Sequence, residues 1–388
     1  MNIFDPELRK YATLKQIEHL DAIDRYGSGR AAAAALGLSH NTLNEAMRRL
    51  YKSAALRGYS PQHDMTHAVP DGYKVKGVST YYDSEGKARG QWVKSSADDE
   101  RRMEMLKAAV EAMSEEIPRL DPIEGPSNAI AHLANLYIIT DYHMGMMAWR
   151  QEGGADWDLK IAEKTLLKSF EHMITNSPAS RVGVLAQLGD FLHADGLLPV
   201  TPTNGHVLDA DGRFSKVVKI TIKALRRLVD MMLMKHETVH VIMAEGNHDI
   251  ASSVWLRQMF SALYENEPRV TINDSELPYY SFQFGKVMLA FHHGHMKKKE
   301  ALPLLFASQF PEVWGQTTYR VCHTGHQHHE DLKEHSGMRV HQHPTLAARD
   351  AHASRHGWLA ERQTSCITYH EKFGKVGEVV VSPDMLDL

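Results

Sequence analysis

Five short apolar runs in the last two thirds of the chain each lead into a cluster of Asp, Asn and His. No other feature restricts the fold as strongly. Residues 182–188 run into Gly189-Asp190-Phe191-Leu192-His193, and residues 239–244 lead to Gly246-Asn247-His248-Asp249. Residues 136–140 run into Asp141-Tyr142-His143-Met144-Gly145, residues 287–291 into His292-His293-Gly294-His295, and residues 319–322 precede Thr324-Gly325-His326-Gln327-His328-His329. The length and β-branched content of the runs are those of buried parallel strands. The polar clusters therefore fall at strand C-terminal ends, where open α/β sheets gather their ligand sites. Carboxylate, amide and imidazole without thiolate suit divalent Mn, Fe or Zn and argue against a structural zinc knot. The glycines beside these residues let the backbone turn sharply under a metal.

In this order the motifs DxH, GDxx, GNHD, HG and GHxH resemble those of the calcineurin-type metallophosphoesterase superfamily. As they stand, DYHMG, GDFLH, GNHD, HHGH and GHQH are most similar to its double-strand-break repair nuclease branch, some members of which carry a His three residues after the bridging Asp. The resemblance runs from about residue 131 onward and leaves the first third uncovered. It implies a four-layer α/β sandwich and two divalent ions, Mn first, with Fe or Zn as alternatives. It also implies that Asp141, His143, Asp190 and His328 hold one ion, and Asp190, Asn247, His293 and His326 the other. Asp190 would bridge ions ~3.5 to 4 Å apart, and a water activated between them would attack the phosphodiester. By the same resemblance His248 is a catalytic histidine that is not a ligand, oriented by Asp249, and His193 is a second phosphate contact. Within HHGH the ligand is the residue directly before Gly, hence His293 rather than His292 or His295. His323, His329, His341 and His343 occupy no motif position and read as surface or packing residues.

The first third reads differently. Leu14–Tyr26 has Leu14, Ile17, Leu20, Ala22 and Ile23 on one side, and Gly27-Ser28-Gly29 breaks it. An Ala-rich helix at residues 30–36, a turn at Gly37-Leu38-Ser39 and a helix from Asn41 to Leu50 follow, with Ser39 as N-cap. This pattern reads as a helix-turn-helix whose second helix would present Asn41, Thr42, Asn44, Arg48, Arg49 and Lys52 to DNA. Residues 1–60 hold nine Lys/Arg against six Asp/Glu, a local net of +3 in a chain of net charge −4. The competing reading is a three-helix bundle for docking or homo-oligomer formation.

Residues 73–82 and 91–94 form a hairpin signal, either a wing with Lys74, Lys76, Lys87 and Arg89 toward phosphate or an edge addition to the catalytic sheet. Residues 98–117 read as a charged amphipathic helix, ended by Pro118, and residues 119–127 as a linker. The expected organisation is a helix-turn-helix domain at 1–60, a hairpin and helix connector at 61–127, and a catalytic α/β domain at 128–388. Helices are expected at 159–175, 215–236 and 252–266, and residues 194–214 as a loop that shapes substrate access.

A length of 388 residues allows two cores, and two cysteines, Cys322 and Cys366, give no disulfide framework. No leader is legible in Met1-Asn2-Ile3-Phe4-Asp5-Pro6-Glu7, and no apolar run reaches the ~18 residues of a membrane span. A binding unit followed by a phosphoesterase is similar in arrangement to proteins of bacteriophages and prophages, so a bacterial host cytoplasm is the expected location. The leading expectation is a metal-dependent DNA nuclease. The alternatives are a phosphodiesterase or phosphatase on a small (cyclic) nucleotide or other phosphoester, and a DNA-binding regulator with an inert metal fold.

Overall fold

The computed structural model describes residues 6–60, 65–66, 73–82, 88–97, 125–197, 199–202 and 207–387. The expected helix at 98–117, most of the expected linker and the side chains of Lys87 and Arg89 lie outside them. The chain divides into two compact units, Met1–Glu104 and Met105–Leu388.

In the first unit three helices, α1 (Leu14–Tyr26), α2 (Gly29–Ala35) and α3 (His40–Leu56), close over Leu20, Ile23, Ala32, Ala33, Leu43, Met47 and Leu50. Each begins with a hydroxyl cap. Thr13 forms a capping box with Gln16, Ser28 accepts from Ala31 N and Ser39 from Thr42 N, satisfying backbone donors that a helix start leaves unpaired. The two alanines allow α2 to approach its neighbours closely. Leu14, expected in the core, is 83% exposed because it opens α1 ahead of the turns that pack. Strands β1 (Tyr59–Ser60) and β2 (Met65–Thr66) pair with each other. Strands β3 (Tyr73–Tyr82) and β4 (Ala88–Ala97) form a two-stranded antiparallel sheet of their own, which corrects the edge-addition alternative.

The second unit is a four-layer α/β sandwich. Its first sheet contains β5 (Ile130–Ile139), β6 (Ser180–Gln187), β7 (Thr238–Met243), β8 (Val270–Ile272), β14 (Thr364–His370) and β15 (Gly374–Val381), in the order β15-β14-β5-β6-β7-β8. The second contains β9 (Tyr280–Phe284), β10 (Val287–Phe291), β11 (Tyr319–Thr324), β12 (Asp331–His335) and β13 (Met338–Gln342), in the order β12-β13-β11-β10-β9. Strand pleating explains how one sequence serves both faces. Leu136, Ile138, Val184, Ala186, Leu289 and Phe291 meet between the sheets. Tyr137, Ile139 and Leu185 face outward under helices α5 (Leu159–Asn176), α6 (Phe214–Lys235) and α7 (Ile250–Leu263), the short α4 (Arg150–Gly153) preceding them. Met288, Ala290 and Cys322 face the other way, under α8 (Leu302–Gln309) and α9 (Pro311–Gln316).

Strands β5, β6 and β7 are parallel, and Ile139 pairs with Gln187 and Gln187 with Met243, so their C-terminal ends are level. In the second sheet β10, β11 and β13 are parallel, with Phe291 opposite His323 and Thr324 opposite Gln342. The polar clusters thus leave both sheets along one edge. Among the described residues no helix is long and apolar enough to cross a membrane.

Candidate metal centre

The strand ends bring together two sets of donors. Asp141, His143 and His328 converge in one, Asp190, His293 and His326 in the other. His293 joins them, with Nε2 3.2 Å from Asp190 Oδ2, 3.1 Å from Asn247 Oδ1 and 4.0 Å from Asp141 Oδ1. His143 Nε2 and His328 Nε2 face each other at 3.4 Å, and His328 Nε2 is 3.2 Å from Asp141 Oδ1. All seven expected ligands therefore share one pocket. His292 turns away, with Nδ1 2.9 Å from Pro278 O, while the His295 ring lies against those of His293 and His326 at centroid distances of 5.2 and 6.1 Å.

The glycines beside the clusters turn the backbone as expected, Gly145, Gly189 and Gly294 having φ of 91°, 98° and 114°, and the clustered Asp and His residues share the left-handed conformation. Among the described residues the non-glycine positions with positive φ are Asp141, His143, Asp190, His326 and His328, at 49° to 73°. Each costs about 1–3 kcal/mol, and such strain collects at sites where the surroundings fix the geometry. Gly246 and Gly325 contribute by the absence of a side chain. A Cβ on Gly246 would stand 2.0 Å from Asp190 Oδ1, and one on Gly325 would stand 1.8 Å from Thr140 Oγ1 and 2.4 Å from Asp141 Oδ2.

The outer contacts are fixed as well. Asp141 Oδ2 accepts from Thr140 Oγ1 (2.6 Å) and His326 N (2.8 Å), and the Asp141 carbonyl accepts from Thr345 Oγ1 (2.6 Å). Nδ1 of His293 donates to the Leu188 carbonyl (2.8 Å), which turns Nε2 toward the carboxylates. His248 N donates to Asp190 Oδ1 (2.8 Å). Thr140 and Thr345 escaped the sequence reading because nothing in a lone threonine marks it; their signal is adjacency to the motifs in space.

Asp249 does not orient His248. Its buried carboxylate accepts from the backbone N–H groups of Asp190 (3.1 Å), Phe191 (2.7 Å), Leu192 (3.2 Å) and Gly246 (2.9 Å), tying the Asp190 loop to the Asn247 loop. His248 Nδ1 instead donates to the His193 carbonyl (2.9 Å), leaving Nε2, on the far side of the ring, without a hydrogen-bond partner among the described residues. His193 is buried, with Nδ1 3.3 Å from His143 Nδ1. Asp195 caps α7, accepting from Ala251 N and Ser252 N, both at 2.7 Å.

Electrostatically the pocket calls for cations. Burial opposes ionisation of Asp141, but the charges of His328 and His293 outweigh it and hold the carboxyl below its usual range. Burial likewise opposes ionisation of Asp190, which His293 overcomes. His293 is itself raised to about 10: burial lowers it, and Asp190 and Asp141 overcome that effect. Burial first, then His248 and His193, keeps His143 neutral. Asp141 Oδ1 is buried and faces His328 Nε2 at 3.2 Å and His293 Nε2 at 4.0 Å. Two buried carboxylates ringed by imidazoles fit divalent cations held by oxygen and nitrogen. Asn247, His248, His326 and His328 are only partly covered and mark the open side, whereas Asp141, His143, Asp190 and His293 are buried.

No protein-family model matches this chain, and no curated protein does. Among solved structures it is similar to an archaeal phosphodiesterase at 14% identity, covering 64% of this chain and 99% of that one, with a TM-score of 0.33. It is also similar to an uncharacterised predicted phosphoesterase of Streptococcus pneumoniae TIGR4 (10% identity, 66% and 92% covered, TM-score 0.30). A third is Vps29 of Entamoeba histolytica complexed with zinc (12%, 65% and 99%, TM-score 0.28).

Of the residues expected to meet DNA, Asn41, Thr42, Asn44, Arg48, Arg49 and Lys52 are all exposed on α3, opposite Leu43, Met47 and Leu50. Arg49 pairs with Glu45 at 3.4 Å.

Proposed function

We propose that the protein is a metal-dependent phosphodiesterase and that its substrate is DNA. The observation that carries the reading is the meeting of Asp141, His143 and His328 with Asp190, His293 and His326 in one pocket, with His248 at its open side. Two divalent ions, manganese first, would be held by these residues and Asn247, with Asp190 between them, and would neutralise phosphoryl oxygens and lower the pKa of an attacking water. His248 would meet the substrate from the open side. Its Nδ1–H is committed to the His193 carbonyl, so Nε2 is the atom that protonates the leaving oxygen or hydrogen-bonds the phosphate. Asp249 would act on the site through the backbone, by keeping the Asp190 and Asn247 loops in register. The DNA assignment rests on α3, whose uncovered face carries amide, hydroxyl and guanidinium groups over an apolar underside.

The test compares duplex DNA, single-stranded DNA and an aryl phosphodiester with added Mn, for the full chain and for Arg48→Ala, Arg49→Ala. The expected result is DNA cleavage, weakened by the double substitution and by salt, with the aryl diester turned over equally by both chains. Aryl diester or cyclic nucleotide hydrolysis with DNA untouched would assign the enzyme to small nucleotides and leave the helical unit a docking or assembly role. DNA binding with no hydrolysis at all would indicate a regulator.

A further inference from the structure

Three histidines without a place in the strand-end motifs form a second cluster. His323 on β11 lies opposite His341 on β13 in parallel register, so both rings leave the same face, and His343, two residues further, returns to it. That face looks between the sheets. The His323 ring stacks on Phe291 (5.8 Å, 25°) and meets the Tyr369 ring edge-on (6.3 Å), both members of the inter-sheet core. All three histidines are buried, and one ring nitrogen of each lies within 4.8 Å of those of the other two. His323 Nδ1 is 2.9 Å from His343 Nε2, and the His341 and His343 rings approach to 4.0 Å. Glu330 Oε1 stands 3.3 Å from His341 Nε2, at the side where the cluster meets solvent.

Burial, reinforced by mutual proximity, keeps His323 and His343 neutral, and burial keeps His341 neutral. Neutral imidazole is the form that binds metal. Ligands about 2.0–2.1 Å from a tetrahedral zinc lie about 3.3 Å apart. His323 and His343 already stand that close, so the remaining adjustment falls on His341.

We propose that His323, His341 and His343 form a further metal site, which takes zinc or a similar borderline first-row ion with the Glu330 carboxylate as fourth ligand. Its nitrogen-rich donors differ from the carboxylate-bearing strand-end pocket and favour zinc over manganese. Its place in the fold gives it a structural part. His343 N donates to the Thr324 carbonyl (2.8 Å) and Gln342 Nε2 to the His329 carbonyl (2.8 Å), so an ion here ties β13 to both ends of the loop that carries His326 and His328.

The test uses the full chain with Asp141→Asn and Asp190→Asn, which removes the carboxylates of the strand-end pocket and separates this site from any phosphodiesterase activity. After chelation, zinc is titrated against a chromophoric chelator, and cobalt is then loaded for visible spectroscopy. One tight zinc equivalent and a tetrahedral cobalt spectrum are expected. Adding His341→Gln should lower zinc affinity by at least the ~100-fold that outer-sphere partners alone can carry. Glu330→Gln, at an exposed position that leaves folding intact, should lower it by about tenfold or more. Absence of tight zinc in the double variant, or affinity unchanged by both further substitutions, would overturn the proposal and leave only a hydrogen-bonded network, with Tyr369 OH 3.2 Å from His323 Nε2 and His323 Nδ1 2.9 Å from His343 Nε2.

Discussion

Two histidine-rich regions of the same sandwich are built on opposite plans. At the strand ends, Asp141, His143, Asp190, His326 and His328 meet in one pocket with their own backbones in the left-handed region. Between the sheets, His323, His341 and His343 converge with no positive φ, because pleat and parallel register already aim them at one point. The first plan costs several kcal/mol of local strain. It places carboxylates and imidazoles from five loops at the open edge, where a substrate can enter. The second costs nothing in backbone conformation and yields a closed cluster. A strained, partly open constellation is suited to chemistry, an unstrained closed one to holding the fold.

The sharpest way to break this contrast is at Asp190, which touches both the Asn247 loop and His293. Asp190→Ala should reduce Mn-dependent phosphodiester hydrolysis on the order of 10⁴-fold, as removal of a group acting within a unit does. Zinc bound between the sheets should stay. Loss of less than tenfold in steady-state rate would show that the two donor sets do not act together.

His248→Ala comes next. Proton transfer or transition-state contact from one positioned histidine is worth roughly 10²–10⁴-fold, so kcat should fall by that factor while bound metal, measured by elemental analysis, is unchanged. A variant that loses metal as well would make His248 a ligand. Gly246→Ala tests the strain itself. Its Cβ would lie 2.0 Å from Asp190 Oδ1 and 2.2 Å from Asp190 N, and a backbone atom cannot step aside as a side chain does. Overpacking of this kind costs about 1–3 kcal/mol. Urea unfolding should therefore show a lower midpoint, together with activity reduced beyond what the stability loss explains. A midpoint equal to that of the unsubstituted chain would remove the claim that the two loops are in contact.

How much of this was written in the sequence follows the same division. The strand-end pocket was legible because each polar cluster follows its own apolar run, and because helices expected at 159–175, 215–236 and 252–266 appear at Leu159–Asn176, Phe214–Lys235 and Ile250–Leu263. Local patterning carries that information. The inter-sheet cluster was not legible, since residues 323 and 341 become neighbours only through the pairing of β11 with β13. Strand β12, Asp331–His335, alternates too weakly to announce itself, and β14 and β15 follow the last motif. The part assigned to Asp249 missed for a related reason: adjacency to His248 in sequence suggested a side-chain contact, whereas the turn sends the carboxylate to backbone donors 57 to 59 residues away.

His236 is another buried histidine, outside both the strand-end pocket and the inter-sheet cluster, and it measures what imidazole burial is worth away from any candidate metal site. Its ring is fully covered at the end of α6, with Nδ1–H donating to the Ser180 carbonyl (2.8 Å) and Nε2 accepting from Tyr137 OH (2.9 Å). Burial lowers it to about 4, the Ser180 carbonyl opposing and Lys235 adding to the shift. The folded value lies below the ordinary 6.5, so between pH 6.5 and about 4 the unfolded chain binds more protons, and the contribution of this group is present above 6.5 and lost as pH falls. One proton corresponds to a slope of about 1.4 kcal/mol per pH unit. In chelator-treated protein, urea unfolding of the unsubstituted chain and of His236→Gln at pH 7, 6 and 5 should show a stability difference that shrinks with this slope below pH 6.5. A difference constant across the series would mean that His236 takes up its proton without leaving the folded state, and that buried imidazoles here are more adaptable than their packing indicates.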